Sequence, residues 1–366
     1  METPPRPASP DAPLTDLRSL DRAALEAFAV GLGEPPFRGR QLWQWVHEKG
    51  ATEFAAMTNL PAAFRARLAE TARVGTLVEV KRQVATDGTV KALLRLPTGR
   101  HVEAVLIPDV DEAGKARRLT ACVSSQVGCA MACSFCATGR MGFLENLTAG
   151  QIADQAHAMN AVAVEQYGRG LTNVVYMGMG EPMQNYAAVV ASVGLITEGL
   201  GLAPRRVTVS TVGLARRIRD LADDQAEGRA PAFGLAVSLH APTDAQRSAI
   251  MPVNRSEKTD LTALKDAVRH YHARTGRPVT YEYCMFAGAN DAEADARALA
   301  RVAHWAPSKV NLIMYNPVEG TGFLPSSEGR LDAFIAVLVS KGVRVTVRRS
   351  RGQDIDAACG QLAVQA

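Results

Sequence analysis

The 366-residue sequence has no apolar run approaching the roughly 20 residues that a membrane-spanning helix needs. Its N-terminal stretch does not read as a secretory leader. Its opening stretch, METPPRPASPDAPL, holds five prolines and no apolar segment, and reads as a disordered leader over residues 1–14. Cysteine is scarce and uneven, with six in all and three of them in one short run. That excludes a disulfide framework and fits a reducing, cytoplasmic setting with a metal site. The Gly-rich turn at Gly178–Pro182 lacks the dinucleotide fingerprint. The net charge is only +4, which permits an anionic partner without demanding one. A hydrophobic content of 47% is ample for one large domain with accessory segments.

The informative stretch is Cys122–Leu147, CVSSQVGCAMACSFCATGRMGFLENL. Cys129, Cys133 and Cys136 form a CxxxCxxC run. Structural zinc takes four protein ligands, usually as paired knuckles. A [4Fe–4S] cubane normally takes four cysteines. With three offered, one iron stays open to a ligand that is not protein, and such an iron beside an electron source can bind and reductively split S-adenosylmethionine. Small residues at Gly128, Ser134, Gly139 and Gly142 let the backbone wrap closely around a cluster. The competing readings are a zinc site completed from elsewhere, three buried thiols, or a redox pair at Cys133 and Cys136.

Around this run the chain divides. Residues 15–75 read as a helical accessory domain. One helix begins after Asp21, a second near Phe37 buries Leu42, Trp45 and Val46, and a third follows Pro61. Arg38, Arg40 and Lys49 suit either a phosphate backbone or a solvated face. Residues 76–114 read as an antiparallel β extension, with runs 77–84, 90–96 and 101–107 joined by turns at Asp87-Gly88 and Thr98-Gly99. Over 115–345, strands at 119–123, 173–177, 206–211, 233–239, 279–285 and 310–314 alternate with helices at 148–167, 261–275 and 291–305. That alternation implies an α/β fold, a partial (βα)6 barrel whose chemistry sits at the C-terminal ends of its strands. A helix at 328–341 and a strand at 343–348 lead into a tail, 346–366.

Several strand ends offer polar groups. Gly180 and Glu181 follow the second strand, where the carboxylate could meet a cationic amino group. Ser210, Ser238, Leu239, His240 and Asn316 close three others, although each alone is an ordinary turn or core residue. Cys122 ends the first strand and Cys359 lies in the tail with Arg348, Arg349 and Arg351. Two such thiols suit a nucleophile and its resolving partner, or equally a core residue and an exposed thiol. Cys284 is more simply core. The arginines at 205–206, 216–219 and 344–351 would serve nucleic-acid phosphates or solubility.

Seven ordered motifs, CVSSQVGCxxxCxFCxTG, GMGEPxxN, VTVSTVG, LAVSLHAP, EYxxxxGxND, VNLIxYNP and RGxDIxAACGQL, resemble those of the RlmN/Cfr family of radical S-adenosylmethionine RNA methyltransferases. The resemblance implies one [4Fe–4S] cluster on Cys129, Cys133 and Cys136. It implies S-adenosylmethionine held by Gly180, Glu181, Ser210, Ser238, Leu239, His240 and Asn316, with two molecules consumed per methylation. It further implies that Cys359 takes a methyl group and passes the carbon to C2 of an adenosine. Cys122 then removes the ring proton and forms a disulfide with Cys359, and Glu103 is a proton acceptor. The implied substrate is 23S ribosomal RNA, with tRNA as a second. The enzyme is expected to act as a monomer with a flavodoxin-type electron donor. The runner-up activity is C8 methylation of the same adenosine; from another class comes a zinc-stabilised RNA-binding module without catalysis. Glu145, Met314 and Arg216-Arg217 depart from the family pattern, and Glu145 sits poorly with RNA contact by its loop.

Overall fold

The structure, a computed structural model, describes residues 14–253, 257 and 259–364. The expected leader lies outside these residues except for Leu14. Two-residue strands β1 (Thr15–Asp16) and β2 (Ala72–Arg73) pair in parallel and close the N-terminal module at its base. Between them lie helices α1 (Arg22–Gly31), α2 (Phe37–Trp43) and α3 (Ala62–Thr71). Asp21 caps α1 through the Ala24 amide, as its position before an apolar-periodic run predicts. Helix α2 runs on into a π turn, Gln44–Glu48. This wider turn shifts the apolar face. Trp43 is fully buried, while Trp45, expected in the core, is half-exposed with the Lys49 ammonium 3.8 Å above its ring. Arg38 and Arg40 are engaged by Glu34 and Glu26.

One ten-stranded sheet organises the rest. Its antiparallel edge comprises β3 (Val78–Val84), β4 (Val90–Arg95) and β5 (His101–Val110). Strand β6 (Ala116–Cys122) pairs antiparallel with β5 and parallel with the next barrel strand. The β extension is therefore the edge of the barrel sheet itself. The turn at Asp111–Gly114 is tight enough to return the chain alongside β5, which runs on to Val110, three residues past the expected end at 107.

A short hairpin follows, β7 (Gln126–Gly128) and β8 (Phe143–Asn146), with the one-turn helix α4 (Ala137–Arg140) between its strands. Helix α5 (Ala149–Tyr167) starts at a Thr148–Gln151 capping box and ends at Gly168 in the left-handed region. Then come β9 (Asn173–Tyr176), α6 (Tyr186–Gly199), β10 (Val207–Thr211), α7 (Ala215–Ala226) and β11 (Gly234–Ser238). Helices α8 (Asp244–Ile250) and α9 (Leu261–Thr275), strand β12 (Val279–Met285), α10 (Glu293–Ala303), β13 (Ser308–Met314), α11 (Glu328–Ser340) and β14 (Val345–Arg348) complete the order.

From β6 through β9 to β14 every pairing is parallel and sequential, so the sheet is the expected partial barrel with β14 as a further parallel strand. Among the described residues its edge strands are β3 and β14. Val174, Val207, Val209, Leu235, Val237, Tyr281 and Leu312 have essentially no exposed surface, the mark of strands covered on both faces.

Candidate active site

The three clustered cysteines sit on the loop that β7 and β8 pinch together. The Cys129 amide donates to Gly142 O at 2.9 Å, and Gly128, at φ +72°, leaves no room for a side chain against the Gly142 carbonyl. The Ser134 amide donates to Ile250 O at 3.0 Å, tying the loop to α8. Cys129, Cys133 and Cys136 line one cavity at the C-terminal ends of the barrel strands. Burial pushes the Cys129 thiol up to about 12 and also raises Cys133 and Cys136, and each is raised further by a neighbouring thiol. Three thiols facing each other are unfavourable as anions until a metal centre binds them.

Among the described residues, no three Cys, His, Asp or Glu side chains gather as they would around a single metal ion. Zinc needs such a gathering. A cubane does not, because each thiolate binds a different iron. The donor set fits a cluster.

Facing the cysteines across the cavity are Gly180, Glu181, Ser210, Ser238 and His240. Gly180 has φ +98°, and a Cβ there would come within 2.6 Å of Gln126 Cβ. That close approach lets Gln126 Oε1 accept the Glu181 amide at 2.8 Å. Glu181 is buried, and its carboxylate accepts the amides of Met183 (3.0 Å) and Val212 (2.8 Å). Burial still wins over these hydrogen bonds and raises its carboxyl to about 7. Ser210 and Ser238 hydroxyls meet at 3.2 Å.

His240 has φ +54°, and its Nδ1 accepts the Cys284 amide at 3.0 Å, so Nε2 carries the ring proton. Burial, with Arg247 nearby, holds His240 down at about 3 and therefore neutral. Leu239 is wholly buried and does not line the cavity. Asn316 does not line it either; its amide donates to Cys359 O at 3.2 Å.

The tail completes the site. Gly360 O accepts the Ala137 amide at 2.8 Å, and the Thr138 hydroxyl donates to Leu362 O. These bonds lay Cys359 on the cavity wall. Cys122 lies behind it, buried at the end of β6, where burial and the Cys359 charge raise its thiol to about 12 while Arg348 opposes. Glu103 stands apart from the cavity on β5, in an ion pair with Lys91 at 3.0 Å. Glu145 is paired with Arg100 at 3.1 Å, which offsets its charge on that loop.

Sequence reasoning missed Lys91 and Glu282. Glu282 lines the cavity, accepts Asn311 Nδ2 at 2.7 Å, and is raised by burial. Its signal was a carboxylate inside an otherwise apolar buried strand. Lys91 was reachable from the Thr98-Gly99 turn, because that hairpin register puts Lys91 opposite Val105, diagonal to Glu103.

Comparison with known proteins agrees with this geometry. Residues 15–74 match the ribosomal RNA large subunit methyltransferase N-terminal domain, and residues 123–300 match the radical SAM superfamily. A probable dual-specificity RNA methyltransferase RlmN of Salinibacter ruber is 59% identical over 95% of this chain and 94% of its own length. The dual-specificity RNA methyltransferase RlmN of Anaeromyxobacter dehalogenans is 45% identical over 96% and 92%. The crystal structure of a radical SAM methyltransferase from Sphaerobacter thermophilus superposes with a TM-score of 0.88 at 43% identity, covering 95% of this chain and 99% of that one. A strand-end cavity with three clustered cysteines, a cysteine-bearing tail laid across it and relatives matched along nearly their whole length place this chain in the RlmN family of radical S-adenosylmethionine RNA methyltransferases.

Proposed function

We propose that this enzyme methylates C2 of an adenosine in the peptidyl-transferase centre of 23S ribosomal RNA, and the adenosine beside the anticodon of tRNA. The carrying observation is the place of Cys359. It lies on the wall of the cavity that the three clustered cysteines line, within electrostatic reach of Cys136 on one side and Cys122 on the other. The dual-specificity relatives support the two RNA classes.

Cys129, Cys133 and Cys136 would hold the [4Fe–4S] cluster. When bound, the cluster supplies the electron that splits S-adenosylmethionine into methionine and a 5′-deoxyadenosyl radical. Glu181 and Gly180 would receive the amino-acid end of S-adenosylmethionine, since a buried carboxylate near neutrality gains from an ammonium partner. Ser210, Ser238 and neutral His240, with the backbone of Leu239 and the amide of Asn316, would orient its polar groups.

The Cys359 thiolate takes a methyl group from one S-adenosylmethionine, and a second is consumed as the radical source. An electron-poor ring carbon such as adenine C2 cannot itself attack a sulfonium methyl, so the carbon travels on sulfur. The S-methyl group on Cys359 gives up a hydrogen atom to the 5′-deoxyadenosyl radical, and the methylene joins C2. After one electron returns to the reductant side and Cys122 takes the ring proton, the Cys122 sulfur attacks the Cys359 sulfur. That breaks its bond to the methylene carbon, which gains a proton to become the product methyl, with Glu103 as a proton acceptor. We read 15–75 as an RNA-facing accessory domain, 76–114 as the β extension, 115–345 as the barrel and 346–366 as the catalytic tail. The enzyme works as a cytoplasmic monomer with a flavodoxin-type reductant. Mass spectrometry of nucleosides from treated 23S ribosomal RNA and tRNA tests the assignment. It should show 2-methyladenosine in both; 8-methyladenosine alone would overturn it.

A further inference from the structure

Lys91 on β4 has only 8% of its side chain exposed, an uncommon state for a lysine. Its ammonium serves two partners. It lies 3.0 Å from Glu103 Oε1 and donates to Asp356 O at 3.2 Å. Register explains the meeting. Lys91 pairs with Val105 and Val105 with Cys122, while Glu103 is two residues from Val105 and so points to the same face. The tail crosses that face. The Gly352 amide donates to Asp87 at 2.9 Å, and the Thr86 amide donates to Asp354 at 2.9 Å, so the β3–β4 hairpin grips the tail just ahead of Cys359. Asp356 has φ +51°, a strained conformation that the grip must sustain. Glu103 is itself buried, and among the described residues its Oε2 accepts no hydrogen bond of good geometry, with the Ala363 amide nearby. A buried ion pair adds little stability over well-packed apolar residues, so stability is a poor reason for this one.

We infer that Lys91 is a positioning residue for methyl transfer: it registers the Cys359-bearing tail against Glu103, holding one carboxylate oxygen and leaving the other free to take a proton. This rests on the roles given above to Glu103 and Cys359. An ammonium with three donors spans a carboxylate and a carbonyl at once; an apolar side chain of similar length does neither. The groups facing the Glu103 carboxyl are Lys91 from β4 and, from the tail, the Asp356 carboxylate and the Ala363 amide; the Ser124 hydroxyl meets only its backbone carbonyl.

The test compares wild type with Lys91→Met, Lys91→Arg, Glu103→Gln and the double variant Lys91→Met/Glu103→Gln. All are full-length with reconstituted cluster, assayed on 23S ribosomal RNA for 2-methyladenosine across pH and for hydrogen exchange of tail peptides. Lys91→Met should slow methyl transfer about 100-fold, the scale of a displaced general base, with KM for RNA within about twofold. Its acid limb should move up by about one pH unit, because the carboxyl loses its cation. Lys91→Arg should recover part of the rate. Tail exchange should quicken about tenfold in Lys91→Met, and in the double variant relative to Glu103→Gln alone. A slow Lys91→Met enzyme with a wild-type acid limb and wild-type tail exchange would overturn the inference. If Lys91→Met does not fold, equal tail exchange in the double variant and in Glu103→Gln would overturn it. Absence of 2-methyladenosine from wild type would count against the proposed activity, while tail exchange would still judge Lys91.

Discussion

Arg18 is buried and Arg348 half-buried, and the two guanidinium groups hold their charge on opposite terms. Arg18 joins the helical module to the barrel. It pairs with Asp154 at 3.0 Å and donates to the carbonyls of Val46 and Ala51. Burial lowers its pKa even so, with Asp154 working against that fall. Arg348, at the end of β14, has only the Met177 thioether as a side-chain hydrogen-bond partner among the described residues, at 3.5 Å. Its protonated form is favoured by the charges of Cys359, Cys122 and Glu282. The first site supplies its own counter-charge and is finished. The second gathers groups whose ionised forms await chemistry. Burial of charge therefore does not mark an active site; incomplete satisfaction beside a cavity does. Backbone strain agrees, since the three non-glycine residues with positive φ among the described residues, Ala132, His240 and Asp356, all belong to the cluster loop, the strand ends or the tail.

The contrast breaks most visibly at Cys359. Cys359→Ala should lower methylation at least about 1,000-fold, as loss of a covalent nucleophile does, while reductive cleavage of S-adenosylmethionine to 5′-deoxyadenosine continues. Cys122→Ala should trap an RNA–protein adduct on a denaturing gel. Methyl transfer by Cys359→Ala would remove the thiol path altogether.

Arg18→Met should cost stability instead, about 3–5 kcal/mol for a buried charge left without its partner, read by urea denaturation. The protein that remains folded should turn over normally. A loss below about 1 kcal/mol would show that Asp154 is not an uncompensated charge without Arg18.

Gly180→Ala should act between these extremes. The new methyl pushes on Gln126, which holds the Glu181 amide, and φ +98° adds strain of about 1–3 kcal/mol. Isothermal titration should show S-adenosylmethionine binding about tenfold weaker, and urea denaturation should show the folded state weakened by that same strain.

The smallest effect is in pH. His47, in the module, is held at about 3 by burial with Arg18 adding repulsion, against an unfolded value of about 6.5. The unfolded chain therefore takes up a proton first, so stability is full above about pH 6.5 and declines as pH falls toward 3, by about 1 kcal/mol per pH unit. His47→Gln should flatten that slope in denaturation curves collected from pH 7 to 5. His240 is depressed the same way, so His240→Gln should flatten it too while impairing activity, which His47→Gln should spare.

Periodicity and turn chemistry gave the strands, the barrel class and most element bounds, because β-runs between Gly turns and capped amphipathic helices are local features; that the extension continues the barrel sheet was not legible. Leu261–Thr275 appears in the structure as read. Trp43 displaced Trp45 from the core because a π turn alters the period, and nothing in GRQLWQWVHEKG signals it. At the site, the CxxxCxxC spacing was local and readable. The tail's grip on the β3–β4 hairpin was not, since Asp87 meets Gly352 across 265 residues. Lys91 and Glu282 did carry local signals, a hairpin register and a carboxylate in a buried strand, but periodicity alone passes over both.

The hydrogen bonding of β5 to β6 means that the extension and the barrel melt together. A protease cut in the Asp111–Lys115 turn would leave two pieces still zipped along six residue pairs, and the nicked enzyme would run as one particle. The extension is not a detachable module that could be grafted onto another barrel; whoever moves it must also move the first barrel strand, and with it Cys122.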